Sequence, residues 1–202
     1  MRLSLVLSFT LLLCTAPVAL AQRTPAPFRS ADGDFAVPVP RYNFGYARSE
    51  RERMREGTAV HFRGDAGEMH YIESLRAPRG WTAPTDSAEL VEFLSQRPRE
   101  IHRTNPTSRV LAELPIVLDG APAMLVVLEF PEGHTLMDQS TRKRLDSVRA
   151  FVAFTRNGYL YLVGTELNGA TSRPRSAEQH ATQGEQALRR FLETMRFTAP
   201  SR

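Results

Sequence analysis

The chain has 202 residues, of which 26 are basic and 22 acidic, so its formal net charge is +4 at neutral pH. The 181 residues that follow position 21 are enough to bury the core of a single domain. The small positive balance, with no recognised nucleic-acid motif, excludes a dedicated nucleic-acid-binding protein.

The first residues have the pattern of a cleavable export signal. Arg2 precedes an apolar run over residues 3–13, and the small residues Ala19 and Ala21 flank Leu20 before the expected cleavage point. The apolar run is shorter than the roughly 20 residues that span a bilayer. We therefore expect cleavage after residue 21 and export to the periplasm or the medium, without a transmembrane anchor.

The only cysteine of the chain, Cys14, lies inside this signal. Bulky Leu13 before it argues against a lipid anchor at Cys14, because lipoprotein processing requires a small residue there. Cleavage removes Cys14, so no disulfide or thiolate ligand remains. We predict a signal peptide over residues 1–21, a flexible lead-in over 22–31 and a single domain over 32–202.

The first predicted elements of the domain are strands. Phe35, Val37 and Val39 alternate with Ala36 and Pro38, which predicts a strand. A proline is tolerated only at a sheet edge or at the end of a strand, so we expect this first strand at an edge. Residues 58–62 and 68–75 are rich in β-forming residues and are separated by glycines, so we expect a hairpin.

A helix follows, beginning near Ser87. Leu90, Phe93 and Leu94 recur at helical spacing and continue to Ile101. Pro98 interrupts this pattern, and a proline in a helix interior removes a hydrogen bond and clashes with the preceding turn. We therefore expect the helix to end or bend sharply near residue 97.

Two further hairpins have the strongest local signals. Asp119-Gly120 joins residues 110–118 to 123–130, and Asn157-Gly158 joins residues 149–156 to 159–167. Both dipeptides favour type I′ turns, which fix the register of the strands they connect. The second hairpin then has mainly apolar side chains on both faces, so each face of the sheet needs a cover.

The last helix supplies part of that cover. Ser176 and Gln179 form a predicted capping box, and an apolar stripe follows from Gly184 to Met195. We predict an α+β fold, with an antiparallel sheet of about six strands and helical cover on both faces.

The order and spacing of these elements resemble the PsbP-like sandwich, which is shared by the photosystem II extrinsic subunit PsbP, the Ran-binding nuclear import factor and bacterial DcrB-like envelope proteins. The resemblance covers residues 32–197 and is carried by the opening strand from Phe35 to Pro40, the two central turns, the strand from Tyr159 to Val163 and the helix end from Phe191 to Phe197. It implies a binding or assembly role and transfers no site residue.

No residue pattern predicts catalysis. The sequence has no nucleophile elbow, no phosphate-binding glycine loop and no histidine pair at metal-ligand spacing. His61 and His70 can meet across their hairpin as a surface pair. Asp32 and Asp34 form a carboxylate pair that we interpret as solvated surface. We predict no catalytic, cofactor-binding or metal-binding residue, and no enzyme activity.

Two charged segments are the candidate interaction sites. Arg48, Arg51, Arg53 and Arg55 alternate with glutamates, and such guanidinium groups can bind carboxylates or phosphates unless they neutralise their own neighbours. Arg142, Lys143 and Arg144 lie in the long loop 131–147, where they either contact an anionic surface or belong to a short surface helix.

The sequence therefore predicts an exported binding or assembly-accessory protein of the cell envelope, whose partner is an envelope protein or an anionic surface. Two alternatives stay open: an enzyme with a convergent site that no linear motif reveals, and a peripheral surface binder that uses the basic loop 131–147.

Overall fold

The computed structural model describes residues 26–30, 32–39, 57–64, 67–77, 80, 82, 84, 87–131, 133, 140–168 and 176–198. The expected signal peptide, Cys14 and the arginine-rich segment 48–55 lie outside these residues. Within the described part, the chain forms these elements in order: β1 (Phe28–Arg29), β2 (Phe35–Val37), β3 (Gly57–Arg63), β4 (Met69–Arg76), α1 (Ser87–Thr104), β5 (Arg109–Leu118), β6 (Ala121–Phe130), β7 (Ser147–Arg156), β8 (Tyr159–Asn168), α2 (Ala177–Thr194) and β9 (Arg196–Phe197).

The centre of the fold is a six-stranded sheet in the order β3, β4, β8, β7, β6, β5. Every neighbouring pair is antiparallel. This architecture confirms the fold class expected from the sequence. In this order, β8 and β7 lie in the middle of the sheet, and β3 and β5 are its two ends. Helix α1 connects β4 to β5.

Both predicted turns are present, and they set the register of their hairpins. Asp119 and Asn157 have φ values of 50° and 52°, and the glycines after them have φ values of 81° and 79°. Positive φ at both central positions is the type I′ geometry. Phe154 lies opposite Tyr161, which is the register that a two-residue turn at Asn157-Gly158 requires.

Each face of the sheet contributes to its own apolar core. Because side chains alternate along a strand, Val152 and Val163 lie on one face with Leu188 of α2. Ala153 and Leu162 lie on the other face with Leu94 of α1. The prediction that helices cover both sides of the central hairpin is confirmed.

Helix α1 continues past Pro98 to Thr104, so the predicted end near residue 97 is wrong. A proline in a helix interior costs about 3 kcal/mol. Here Leu94 before it and Ile101 after it pack into the same core cluster. The Arg99 guanidinium also bonds to the Glu92 carboxylate, with Nη1 2.8 Å from Oε1. These contacts on both sides of the proline hold the helix together.

A second, small sheet has the order β1, β2, β9. Strand β2 is its middle strand, which corrects the expected edge position, although Pro38 does follow the strand end. Strand β1 lies inside the segment 22–31 that we expected to be a flexible lead-in, and Phe28 pairs with Val37. These segments are ordered because Phe35 and Val37 pack into the core beneath α2.

Helix α2 begins with the predicted capping box. The Gln179 amide donates to the Ser176 hydroxyl, and the Ser176 amide donates to the Gln179 side chain. Its buried residues include Gly184, Leu188 and Phe191, as the apolar stripe predicts. Of the helices described, none combines the length and apolar character needed to cross a bilayer.

Candidate functional site

Only one of the two predicted basic segments lies among the residues that the structure describes. Arg48, Arg51, Arg53 and Arg55 lie outside the described residues. Arg142, Lys143 and Arg144 are all exposed at the surface. Arg142 has a φ of 55°, and the Lys143 amide donates to the Thr141 hydroxyl at 3.4 Å. The described residues 140–146 contain no helix. This part of the loop therefore presents three consecutive cations to solvent.

The possible surface pair of His61 and His70 is not formed. In the register of the hairpin, His61 lies opposite Tyr71 and His70 opposite Phe62, so the two imidazoles point to opposite faces of the sheet. His70 is buried, stacks on Phe191 with ring centroids 4.0 Å apart, and bonds to another buried side chain through Nδ1. Among the described residues, no group of three or more His, Cys, Asp or Glu is placed to hold a metal ion.

A buried ion pair lies in the middle of the sheet, on the face that α1 partly covers. Arg149 of β7 is directly opposite Glu166 of β8, and the guanidinium Nη2 bonds to the carboxylate Oε2. The Tyr71 hydroxyl donates to Oε2 at 2.6 Å, and the Ser147 hydroxyl donates to Oε1 at 2.7 Å. The Arg149 guanidinium also lies 4.3 Å from the Tyr71 ring centroid.

The surroundings of Glu166 keep it ionised. Burial alone raises the pKa of its carboxyl, but the Arg149 charge and the hydrogen bonds from Tyr71 and Ser147 outweigh burial and lower the pKa. An acid that is ionised, fully buried and saturated with donors is a poor proton acceptor. This cluster therefore has the character of a structural ion pair and not of an acid–base centre.

The interpretation of Asp32 and Asp34 as solvated surface is wrong for Asp34, which is 1% exposed. The Tyr161 hydroxyl donates to Asp34 Oδ2 at 2.8 Å, and the Tyr159 hydroxyl approaches Asp32 Oδ2 at 3.4 Å. Burial, followed by the bond to Asp34, raises the pKa of Tyr161. Asp34 is enclosed because it immediately precedes β2, which packs onto the sheet.

Two of the concave features of the described surface lie beside α1 and α2. A cavity between α1 and the sheet, lined in part by Glu73, Phe93 and Leu160, has a volume of about 20 Å³, which is room for about one water molecule. A wide, open hollow beside α2 is lined by amide and hydroxyl side chains and one carboxylate, Glu178. The described lining of these two features includes no histidine, cysteine or lysine.

The end strand β5 is the part of the described surface that differs most from an ordinary solvated strand. Large apolar side chains are exposed along it: Val117 is 70% exposed, Leu114 48% and Val110 43%. Leu114 lies opposite Leu125 and so faces the α2 side, whereas Val117 lies opposite Pro122 and faces the α1 side. The strand is thus apolar towards solvent on both faces.

Charged groups lie at the two ends of β5. Arg109, at the start of the strand, has a side chain that is 71% exposed. Its Nη1 lies 3.7 Å from Oε2 of Glu129. Beyond the other end, Asp119 is bound by Arg156 at 2.7 Å. On the α1 side, Glu113 is bound by Arg99 at 2.7 Å. The start of β5 therefore carries the exposed positive charge.

Sequence reasoning identified β5 as a strand but did not identify it as an interaction surface. One signal was available, because a proline within a strand indicates an edge position, and Pro115 lies in the middle of this one. Exposed valine and leucine side chains have no sequence signature of their own, since the same residue types fill the core. We therefore take β5, with its start at Arg109, as the candidate functional site.

No protein-family model and no curated protein matches this chain. Solved structures do resemble it. The chain is similar to the Ran-binding protein Mog1p of Saccharomyces cerevisiae, with 12% identity and a TM-score of 0.48 over 86% of this chain and 95% of that one. It is similar to cyanobacterial PsbP from Synechocystis, with 10% identity and a TM-score of 0.49 over 86% and 92%.

A protein of unknown function from Pseudomonas aeruginosa is also similar, with 11% identity and a TM-score of 0.45 over 87% of this chain and 98% of that one. These neighbours include a PsbP and a Ran-binding protein, two kinds of protein named in the expected resemblance. Identities of 10–12% and TM-scores below 0.5 carry no argument about ligand or activity.

Proposed function

We propose that this protein is exported through the segment 1–21 and acts in the cell envelope as a binding or assembly-accessory protein. The observation that carries the proposal is the apolar end strand β5, with Val117, Leu114 and Val110 exposed. Its occupant is a segment of a partner protein that carries an acidic group, because the start of the strand presents the exposed Arg109.

An exposed apolar end strand supports binding for a physical reason. Such a strand offers unpaired backbone groups and apolar surface together, and proteins normally cover, shorten or charge strands of this kind. β5 has ten residues, and within it the edge is interrupted by one acidic side chain, Glu113, by Pro115 and by the register shift between Val110 and Ala112. The combination is typical of a surface that a partner covers.

The test is retention of a partner from the native envelope fraction by the chain beginning at Gln22, followed by mass spectrometry. The variant carries Leu114→Asp and Val117→Asp, and the matched control carries Gln186→Asp at an exposed position of α2. We expect a stoichiometric protein that the wild type and the control retain and the double variant loses. Equal retention by all three proteins contradicts the proposal.

The basic loop supports a second candidate function, association with an anionic surface, because Arg142, Lys143 and Arg144 are consecutive and exposed. Such an association weakens as salt screens the charges. Reversing all three charges should abolish binding to vesicles of anionic lipid at low salt. Unchanged vesicle binding by the reversed variant rules this function out.

A further inference from the structure

The turn at Asp119-Gly120 determines which backbone groups of β5 face away from the sheet. In a two-residue hairpin, the residues that flank the turn form a hydrogen-bonded pair, and bonding then alternates along the strand. Leu118 lies opposite Ala121, so Leu118, Ile116 and Leu114 bond towards β6. The amides and carbonyls of the intervening residues point outward from the sheet, since β5 ends the strand order among the residues that the structure describes.

These outward positions are Val117, Pro115 and Glu113. Pro115 has no N–H group, so the outward edge has donors at Glu113 and Val117 and an acceptor at each of the three residues. The strand also has a register shift between Val110 and Ala112, which limits regular pairing to the part after it. The edge can therefore accept one short segment.

We propose that β5 binds this segment as an added antiparallel strand, next to the outward edge formed by Glu113, Pro115 and Val117. This inference rests on the proposed function, which places the partner on β5, and it adds the binding mode. The N–H groups of Glu113 and Val117 donate to carbonyls of the segment, and the three outward carbonyls accept from its amides.

The side chains of β5 define the chemistry of the segment. Leu114 on the α2 side and Val117 on the α1 side require apolar side chains on both faces of the added strand. An antiparallel segment passes its C-terminal end beside the start of β5, where Arg109 is exposed. The partner is thus an extended apolar segment with an acidic group near its C-terminal end.

Pro115 favours such a segment over a second copy of this chain. Each β5 strand lacks the N–H of Pro115, so pairing two copies loses two outward donors, whereas a segment without proline loses one.

The test uses a labelled seven-residue peptide of alternating valine and isoleucine that ends in glutamate, which is apolar on both faces of an extended strand, with binding followed by fluorescence anisotropy. Pro115→Ala restores an outward donor and should tighten binding about 5-fold, whereas Val117→Pro removes one and should weaken it about 5-fold, the size expected of one neutral hydrogen bond. Val117→Ala is the control for the lost side chain, and thermal unfolding confirms that each variant is folded.

Equal affinities of Val117→Pro and Val117→Ala, with no gain for Pro115→Ala, overturn strand addition. If Leu114→Asp with Val117→Asp still loses the envelope partner, the proposed function survives that result. Absence of peptide binding by the wild type at millimolar concentration also overturns strand addition. Sedimentation that shows a wild-type dimer, lost on Val117→Pro, assigns the edge to a second copy and overturns the partner segment.

Discussion

The middle and the end of the same sheet use similar residues for different purposes. In β7 and β8, Val152 and Val163 are fully buried beneath α2, and the opposed charges of Arg149 and Glu166 are buried on the other face of the sheet. In β5, Val117 and Leu114 are exposed. Apolar side chains therefore stabilise the fold at the middle of the sheet and remain available for binding at its end.

The same difference applies to charge. Glu166 is 0% exposed and bonds to three neighbours, whereas Arg109 at the start of β5 is exposed and close to one carboxylate. A buried charge without its partner is strongly destabilising, while an exposed ion pair contributes little. Substitutions in the middle of the sheet should thus change the stability of the fold, whereas substitutions on β5 should change binding and leave stability almost unchanged.

The largest expected effect is that of Glu166→Gln. This change keeps the shape of the side chain but leaves the Arg149 guanidinium buried without its counter-charge. We expect the free energy of unfolding to fall by about 3 kcal/mol or more, measured by urea denaturation. Arg109→Gln is the matched control at an exposed pair and should change it by less than about 0.5 kcal/mol. Similar losses of stability for both variants would contradict the distinction between the buried ion pair and the exposed one.

Acid should weaken the fold through the same carboxylate. The pKa of Glu166 is lowered in the folded protein from an ordinary value of 4.5, so the unfolded chain takes up its proton first as the pH falls. The stabilisation by Glu166 is complete above that ordinary value and is lost as the pH falls through the folded pKa. Urea denaturation between pH 7 and pH 3 should show a steeper loss for the wild type than for Glu166→Gln. Parallel curves would disprove this contribution.

Two valines in the same sheet provide the next comparison. Val152 is 0% exposed and Val117 is 70% exposed. We expect Val152→Ala to lower the free energy of unfolding by about 2 kcal/mol, because it removes two buried methyl groups and leaves a cavity. Val117→Ala should change it by less than about 0.5 kcal/mol. A large loss on Val117→Ala would mean that β5 contributes to the core.

The smallest expected effect is that of replacing a turn glycine, and it should be the same in the hairpin at the middle of the sheet and in the hairpin at its end. Gly120 and Gly158 occupy the same turn position in the two hairpins, with φ near 80°, and an added Cβ meets no atom within 4 Å at either position. Gly120→Ala and Gly158→Ala should each lower the free energy of unfolding by about 1 kcal/mol, from backbone strain alone. Thermal or urea unfolding that separates them by more than this amount would show that the surrounding strands determine the loss.

Much of the fold could be predicted from local sequence because local chemistry determines it. Asp119-Gly120 and Asn157-Gly158 tolerate positive φ, and the capping groups of Ser176 and Gln179 bond to the first turn of their own helix. Each of these signals acts within four residues. Strand register and the start of α2 could therefore be counted from the sequence.

The remaining features depend on contacts between distant segments. Pro98 stays inside a helix because Leu94 and Ile101 both pack on the sheet, and Asp34 is buried because β2 joins a second sheet with β9. Of the predicted interaction residues, the structure describes Arg142, Lys143 and Arg144. They lie in the loop before β7 and not on β5. The candidate site at β5 was missed because its position at the end of the sheet follows from strand order, which no local pattern specifies.

The most direct test of the central claim places a photo-reactive benzoylphenylalanine at Val117, and in a second protein at Gln186 on α2, in cells that export the chain. If the end strand β5 is the interaction surface, position 117 should give one discrete crosslinked protein that position 186 does not give. Crosslinking of the same proteins from both positions, or only from position 186, would contradict the account.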